Sequence, residues 1–178
     1  MKKGRAHSPT CIKGVSMIPD FAKDMIANWR LGHIATADQE GRPNLSPKGT
    51  FVVHDDATIG FAAIRSPDTL ANIAVRPEVE VSFVDILTRR SVLLKGQARI
   101  VTQDASDFPA LSRPYRKLWP DLTLHATAIV VISVTSCRPT CSPAYDVGAE
   151  SDELRAQWMR QINNINIQHK SAEVTHAD

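Results

Sequence analysis

The chain has 178 residues, 43% of them hydrophobic, which is enough for one domain of ordinary size with a real core and calls for no second domain. Its 21 basic and 19 acidic residues give a formal charge of +2, so no general field draws it to nucleic acid or a membrane surface. Three cysteines and a basic start interrupted by Lys13, Gly14, Pro19 and Asp20 argue against a disulfide scaffold and against export, and the expectation is a cytoplasmic protein.

Residues 1–15 mix Lys, Gly, Ser, Pro and Thr and read as a flexible N-terminal arm. From Pro19 the spacing of Phe21, Ala22, Met25, Ile26 and Trp29 predicts a helix with one apolar stripe, with Gly32 as its stop. A hairpin follows. Ile34–Ala37 forms its first strand, Asp38 to Gly41 its turn, and Arg42 to Val53 the returning strand. Pro43 and Pro47 cannot donate ladder bonds, so that second strand is an edge or carries a bulge between Asn44 and Gly49, and Ser46 and Lys48 lie where a polar ligand could be met.

After a turn at His54, Asp55 and Asp56 comes a short strand, Thr58–Ala63. Arg65, Ser66 and Pro67 lead into a helix over 68–75, capped by Ser66 or Asp68, with Leu70, Ile73 and Ala74 on its inner face. Free amides in its first turn, a hydroxyl and a guanidinium are the ingredients of an anion site, and Arg65, Ser66, Thr69 and Asn72 supply such a set.

Val79, Val81 and Phe83 alternate with polar neighbours in a half-buried strand ending at Asp85, and a long strand over Ser91–Val101 is interrupted by Gly96, which signals a bulge or a close backbone approach. Arg89 and Arg90 fall in the loop between these strands, and Lys95 and Arg99 on the second of them. Asp104 opens a second helical segment closed by Tyr115, Leu118, Trp119 and Pro120.

Thr127–Thr135 is rich in β-branched residues and is expected in the middle of the sheet. CRPTCSPAYDVGAES reads as a loop, Asp152–Ile165 as a last helix with Leu154, Trp158, Ile162 and Ile165 on one stripe, and 168–178 as a polar tail. Strands this close in sequence leave no room for repeated crossover helices, so the fold is mainly β, an antiparallel barrel with short flanking helices. A single CxxxC at Cys137 and Cys141 is poor support for a metal, and glycine-rich nucleotide motifs are absent.

GHIATADQEGRPNLSPKG, then TIGFAAIRSPDTLANI, PEVEVSFVD and VLLKGQARIV, resemble the successive elements of the pyridoxamine 5'-phosphate oxidase-related split barrels that bind flavin, over roughly residues 19–145. The resemblance implies a split barrel over 16–167 that forms a homodimer with FMN between the subunits. It puts Ser46, Pro47 and Lys48 against the polar edge of the ring and Arg65, Ser66 and Thr69, with Asn72, at the phosphate.

The implied function is that of an FMN-dependent oxidoreductase, oxidase or reductase, acting on a small molecule. The alternatives are a non-enzymatic flavin-binding protein and a relative that uses haem or a deazaflavin. MRQINNINIQHKSAEVTHAD lacks the basic, aromatic closing motif with which the vitamin oxidases hold substrate phosphate, so the substrate stays open. No side chain is assigned as a catalytic acid or base.

Overall fold

The computed structural model describes residues 18–175, with side chains through Gln168. The expected arm at 1–15 therefore lies outside the described residues.

Helix α1, Asp20–Trp29, buries Ala22 and Ile26 and leaves Phe21 largely open. It does not stop at Gly32. Arg30 takes the left-handed capping conformation at φ 49° and its N–H closes on the Ile26 carbonyl at 2.9 Å. Gly32 is instead the first residue of β1, Gly32–Ala37, where a Cβ would stand 2.6 Å from the Phe83 ring and 2.7 Å from the Phe51 ring. A glycine is needed there for ring packing.

The turn to β2, Pro43–Lys48, closes with Gly41 at φ 82° and its N–H on the Asp38 carbonyl. β2 pairs only with β1, from Gly32 opposite Lys48 to Ala37 opposite Pro43, and so is the edge strand its prolines demand. The returning strand does not run on to Val53. At 49–51 the chain leaves β1 and passes to the opposite end of the strand order, where β3, Val52–Val53, pairs with β4, Thr58–Ala63. Thr50 secures the crossing, its hydroxyl donating to the Ala62 carbonyl at 3.2 Å and accepting the Ala62 N–H at 3.1 Å.

Helix α2, Pro67–Val75, buries Thr69, Asn72 and Ile73, while Ala74, expected on the inner face, is exposed. Strands β5, Glu78–Asp85, β6, Arg90–Thr102, and β7, Ala128–Cys141, complete an antiparallel sheet in the order β2-β1-β5-β6-β7-β4-β3. Phe51 touches both Phe61 of β4 and Phe83 of β5, with ring centroids 5.2 Å and 4.9 Å away, so strands far apart in that order share one interior and the sheet curls round it.

Gly96 marks the expected irregularity: the β6–β7 register shifts between Lys95 and Gly96, and a Cβ there would collide with the Ser133 carbonyl. β7 is central, between β6 and β4, and runs past Thr135 into the first five residues, Cys137 to Cys141, of the stretch expected as a loop. β4 covers β7 only as far as Ser133, so Pro139 lies where one edge of β7 is open and a proline costs no ladder bond on that side.

The second helical segment begins later than Asp104, as α3, Phe108–Leu118, followed by a single turn, α4, Pro120–Thr123. α3 covers the outer face of β7. Ile129 and Val131 pack with fully buried Tyr115, while Val130, Ile132 and Val134 point into the barrel. Burial on both faces accounts for the unbroken apolar run of that strand. The Tyr115 hydroxyl meets His54 Nε2 at 3.0 Å above Gly60, where a Cβ would lie 2.7 Å and 2.9 Å from those two atoms.

A 3-10 turn, Pro143–Val147, leads into α5, Ser151–Thr175, which continues beyond the expected end at Ile165. Of its apolar stripe Leu154 is buried, Trp158 and Ile162 are half-buried and Ile165 is exposed.

Candidate functional site

β2 delivers Lys48 with a polarity unusual for a buried position. Only 8% of the residue is exposed, its Nζ donates to Ser46 Oγ at 2.5 Å and lies 5.9 Å from the Phe61 ring centroid, and no carboxylate stands within ion-pair distance among the described residues. Burial draws the ammonium below its ordinary pKa. A buried cation satisfied by one hydroxyl and one ring face retains donors for a further acceptor. Pro47, paired with His33 on the edge, is exposed.

The second group lies at the start of α2. Arg65 is held at φ 51°, in the left-handed region that non-glycine residues seldom occupy, and its exposed guanidinium has no hydrogen-bond or ion-pair partner among the described residues. Ser66 takes the N-cap position but does not cap: its hydroxyl donates to the Ile64 carbonyl at 3.1 Å, and no side chain closes the first turn. Thr69 is buried beside it. An uncapped helix start, with an arginine two residues before it, has the donor chemistry of a phosphate site.

Asn72 is turned elsewhere. Its Nδ2 donates to the buried Thr36 hydroxyl at 3.0 Å, which also receives Asn44 Nδ2 at 3.4 Å, so Asn72 ties α2 to β1 and β2. α2 packs against both strands, which sets the Lys48 strand and the Arg65 helix on neighbouring elements. Thr36 and Phe61 escaped the sequence reading, since only strand register shows what they face.

The remaining cations also find places. Lys95 pairs with Glu80 at 3.9 Å and Arg99 with Asp107 at 2.9 Å, both well exposed. Arg89 stacks on Trp158 and Arg90 on Tyr145, with guanidinium-to-centroid distances of 5.2 Å and 5.1 Å. Cys137 and Cys141 lie four residues apart on one strand, about 13 Å at the usual rise, too far to share a metal ion. Among the described residues no helix is long and apolar enough to cross a membrane.

No curated protein sequence matches the chain. Among solved structures, HupZ of Group A Streptococcus is 28% identical, with a TM-score of 0.62 over 71% of this chain and 96% of its own. An FMN-binding protein from Syntrophomonas wolfei is 13% identical, TM-score 0.54 over 66% of this chain and 82% of its own, and HutZ, the heme storage protein of Vibrio cholerae, is 15% identical, TM-score 0.51 over 67% and 90%. These two share the fold. The family model for pyridoxamine 5'-phosphate oxidase matches residues 18–141, from the residue before Pro19 to the last residue of β7, and the chain therefore belongs to the pyridoxamine 5'-phosphate oxidase family.

Proposed function

We propose that the protein is an FMN-dependent oxidoreductase of the cytoplasm, acting on a small molecule as a two-fold homodimer. The observation that carries the reading is Lys48, a buried ammonium with no carboxylate partner among the described residues, on an edge strand against which α2, with its uncapped start, packs. The donor set fits a phosphate-bearing, electron-accepting ligand: Arg65, Ser66, Thr69 and the first amides of α2 would hold the phosphate, and Ser46, Pro47 and Lys48 would line the ring. Asn72 keeps the two halves of the site in register through Thr36.

When bound, FMN supplies hydride and single-electron transfer. The chain's own work is to bind and orient. Lys48 holds positive charge where reduction adds negative charge, and that differential contact raises the reduction potential. Leu45, two-thirds exposed on the same edge strand, supports burial of that edge against a second copy, and closed two-fold pairing is the commonest oligomer.

The test is Lys48→Met, which keeps the apolar stem and removes the charge. Equilibrium dye titration should show a lower flavin potential, by about 30 mV for each ~1.4 kcal/mol lost on a two-electron couple. An unchanged potential at full FMN occupancy rejects the electrostatic role. The absorption spectrum of the purified protein separates flavin from the haem and deazaflavin readings, of which haem draws support from the HutZ fold, and a monomer that retains flavin would remove the dimer.

A further inference from the structure

We propose that Arg89 and Trp158 form a binding site for a small oxyanion, a carboxylate or phosphate monoester, at the junction of the β5–β6 turn and α5. Both Arg89 Nε and Trp158 Nε1 are buried and neither has a hydrogen-bond partner among the described residues. Two unmet donors in contact through one stack are rare in a folded protein, where buried polar groups are nearly always paired.

The position is built rather than loose. Asp85 accepts the Leu87 and Thr88 N–H groups at 3.0 Å and 3.3 Å and the Thr88 hydroxyl at 2.6 Å, which locks the turn. From the other side Tyr145 donates its hydroxyl to the Thr88 carbonyl at 2.6 Å, and the Ser142 N–H reaches the Arg89 carbonyl at 3.0 Å. Arg89 is thereby held at φ 54°. Left-handed backbone at a non-glycine residue persists where the surroundings enforce it.

The charge identifies the ligand. Arg89 lies over Trp158, its neighbour Arg90 over Tyr145, and Arg155 pairs at 3.8 Å with Asp85, whose two oxygens are already engaged in the turn. An indole N–H and a guanidinium only donate, so what completes them must accept, and an oxyanion does so with favourable charge. The two nitrogens are covered, whereas Arg89 as a whole is half-buried, so binding of the acceptor requires the guanidinium to shift on its stack. By register this junction lies at the same end of the sheet as Lys48, which pairs with Gly32 opposite Phe83.

The test follows the indole N–H resonance of Trp158, assigned by its loss in Trp158→Phe, while inorganic phosphate or acetate is added at constant ionic strength. The expected result is a saturable downfield shift with at least one of the two that sodium chloride does not produce. Its midpoint should rise at least tenfold in Arg89→Met, and less in Arg89→Lys, which keeps the charge without the fork and serves if the methionine variant fails to fold. A resonance that stays put, that moves equally with chloride, or that responds equally in the Arg89 variants overturns the site.

Discussion

Strand β7 and helix α5 each carry a row of isoleucines, and the two rows meet opposite fates. Ile129 and Ile132 of β7 are wholly buried, one beneath α3 and the other inside the barrel, whereas Ile165 and Ile167 of α5 are 40% and 63% exposed. The strand is enclosed because neighbours cover both its faces. The helix is held at its beginning, through Leu154, the Arg155–Asp85 pair and the Trp158–Arg89 stack, Ile162 is half-buried, and Ile165 and Ile167 are exposed. The family match ends with β7, so the enclosed strands lie within it and α5 lies beyond it.

The sharpest test of that contrast is Phe51→Ala. Phe51 joins the rings of Phe61 and Phe83, and its loss should cost about 3–5 kcal/mol in denaturant unfolding. Leu154→Ala comes next, at about 2 kcal/mol, because Leu154 is the buried residue of the helix stripe; a loss as small as that for Ile165→Ala would show that Leu154 does not anchor the helix. Arg65→Ala tests the phosphate contact proposed within the enclosed part. It should weaken FMN by about 1.5–3 kcal/mol relative to riboflavin, which lacks the phosphate, and equal losses for both would remove Arg65 from the site.

Smaller effects come from titration. Burial holds His54 below its ordinary value of 6.5, with Asp55 opposing that shift and Arg99 adding to it, and the Tyr115 hydroxyl beside the ring. The unfolded chain therefore takes up a proton that the folded chain resists, so stability is full above the ordinary value and falls as the solution is acidified through it. His54→Gln should flatten that fall in urea midpoints between about pH 7.5 and about pH 5. The smallest effect is expected at Ile165→Ala, within about 0.5 kcal/mol, and a large loss there would mean that α5 is covered in solution by a surface it lacks in the single chain.

What could be read from the sequence depended on how local its cause was. Alternation at Val79, Val81 and Phe83 and the β-branched run of β7 gave their strands, Pro43 and Pro47 gave the edge, and Gly96 gave the bulge, because each effect acts within a few residues. The break after Lys48 was not legible, since it depends on Thr50 bonding to Ala62, twelve residues on. Arg30 took the cap expected of Gly32 because the two phenylalanine rings required Gly32 for themselves. Lys48, Arg65 and Ser66 were legible as candidates from residue type, but the inward turn of Asn72 was not, nor was the meeting of Arg89 with Trp158, which joins positions 69 apart in the chain.

The edge position of β2 has a consequence for solubility. An open sheet exposes unpaired strand edges, and such edges invite other molecules to add on. Here one edge is β2, whose Pro43 and Pro47 offer no N–H, and the other is β3, only two residues long. Neither makes a good template for a growing ladder. Replacing both prolines with valine would restore a continuous row of donors, and the protein should then form fibrils at concentrations where the unaltered chain stays clear in a light-scattering assay.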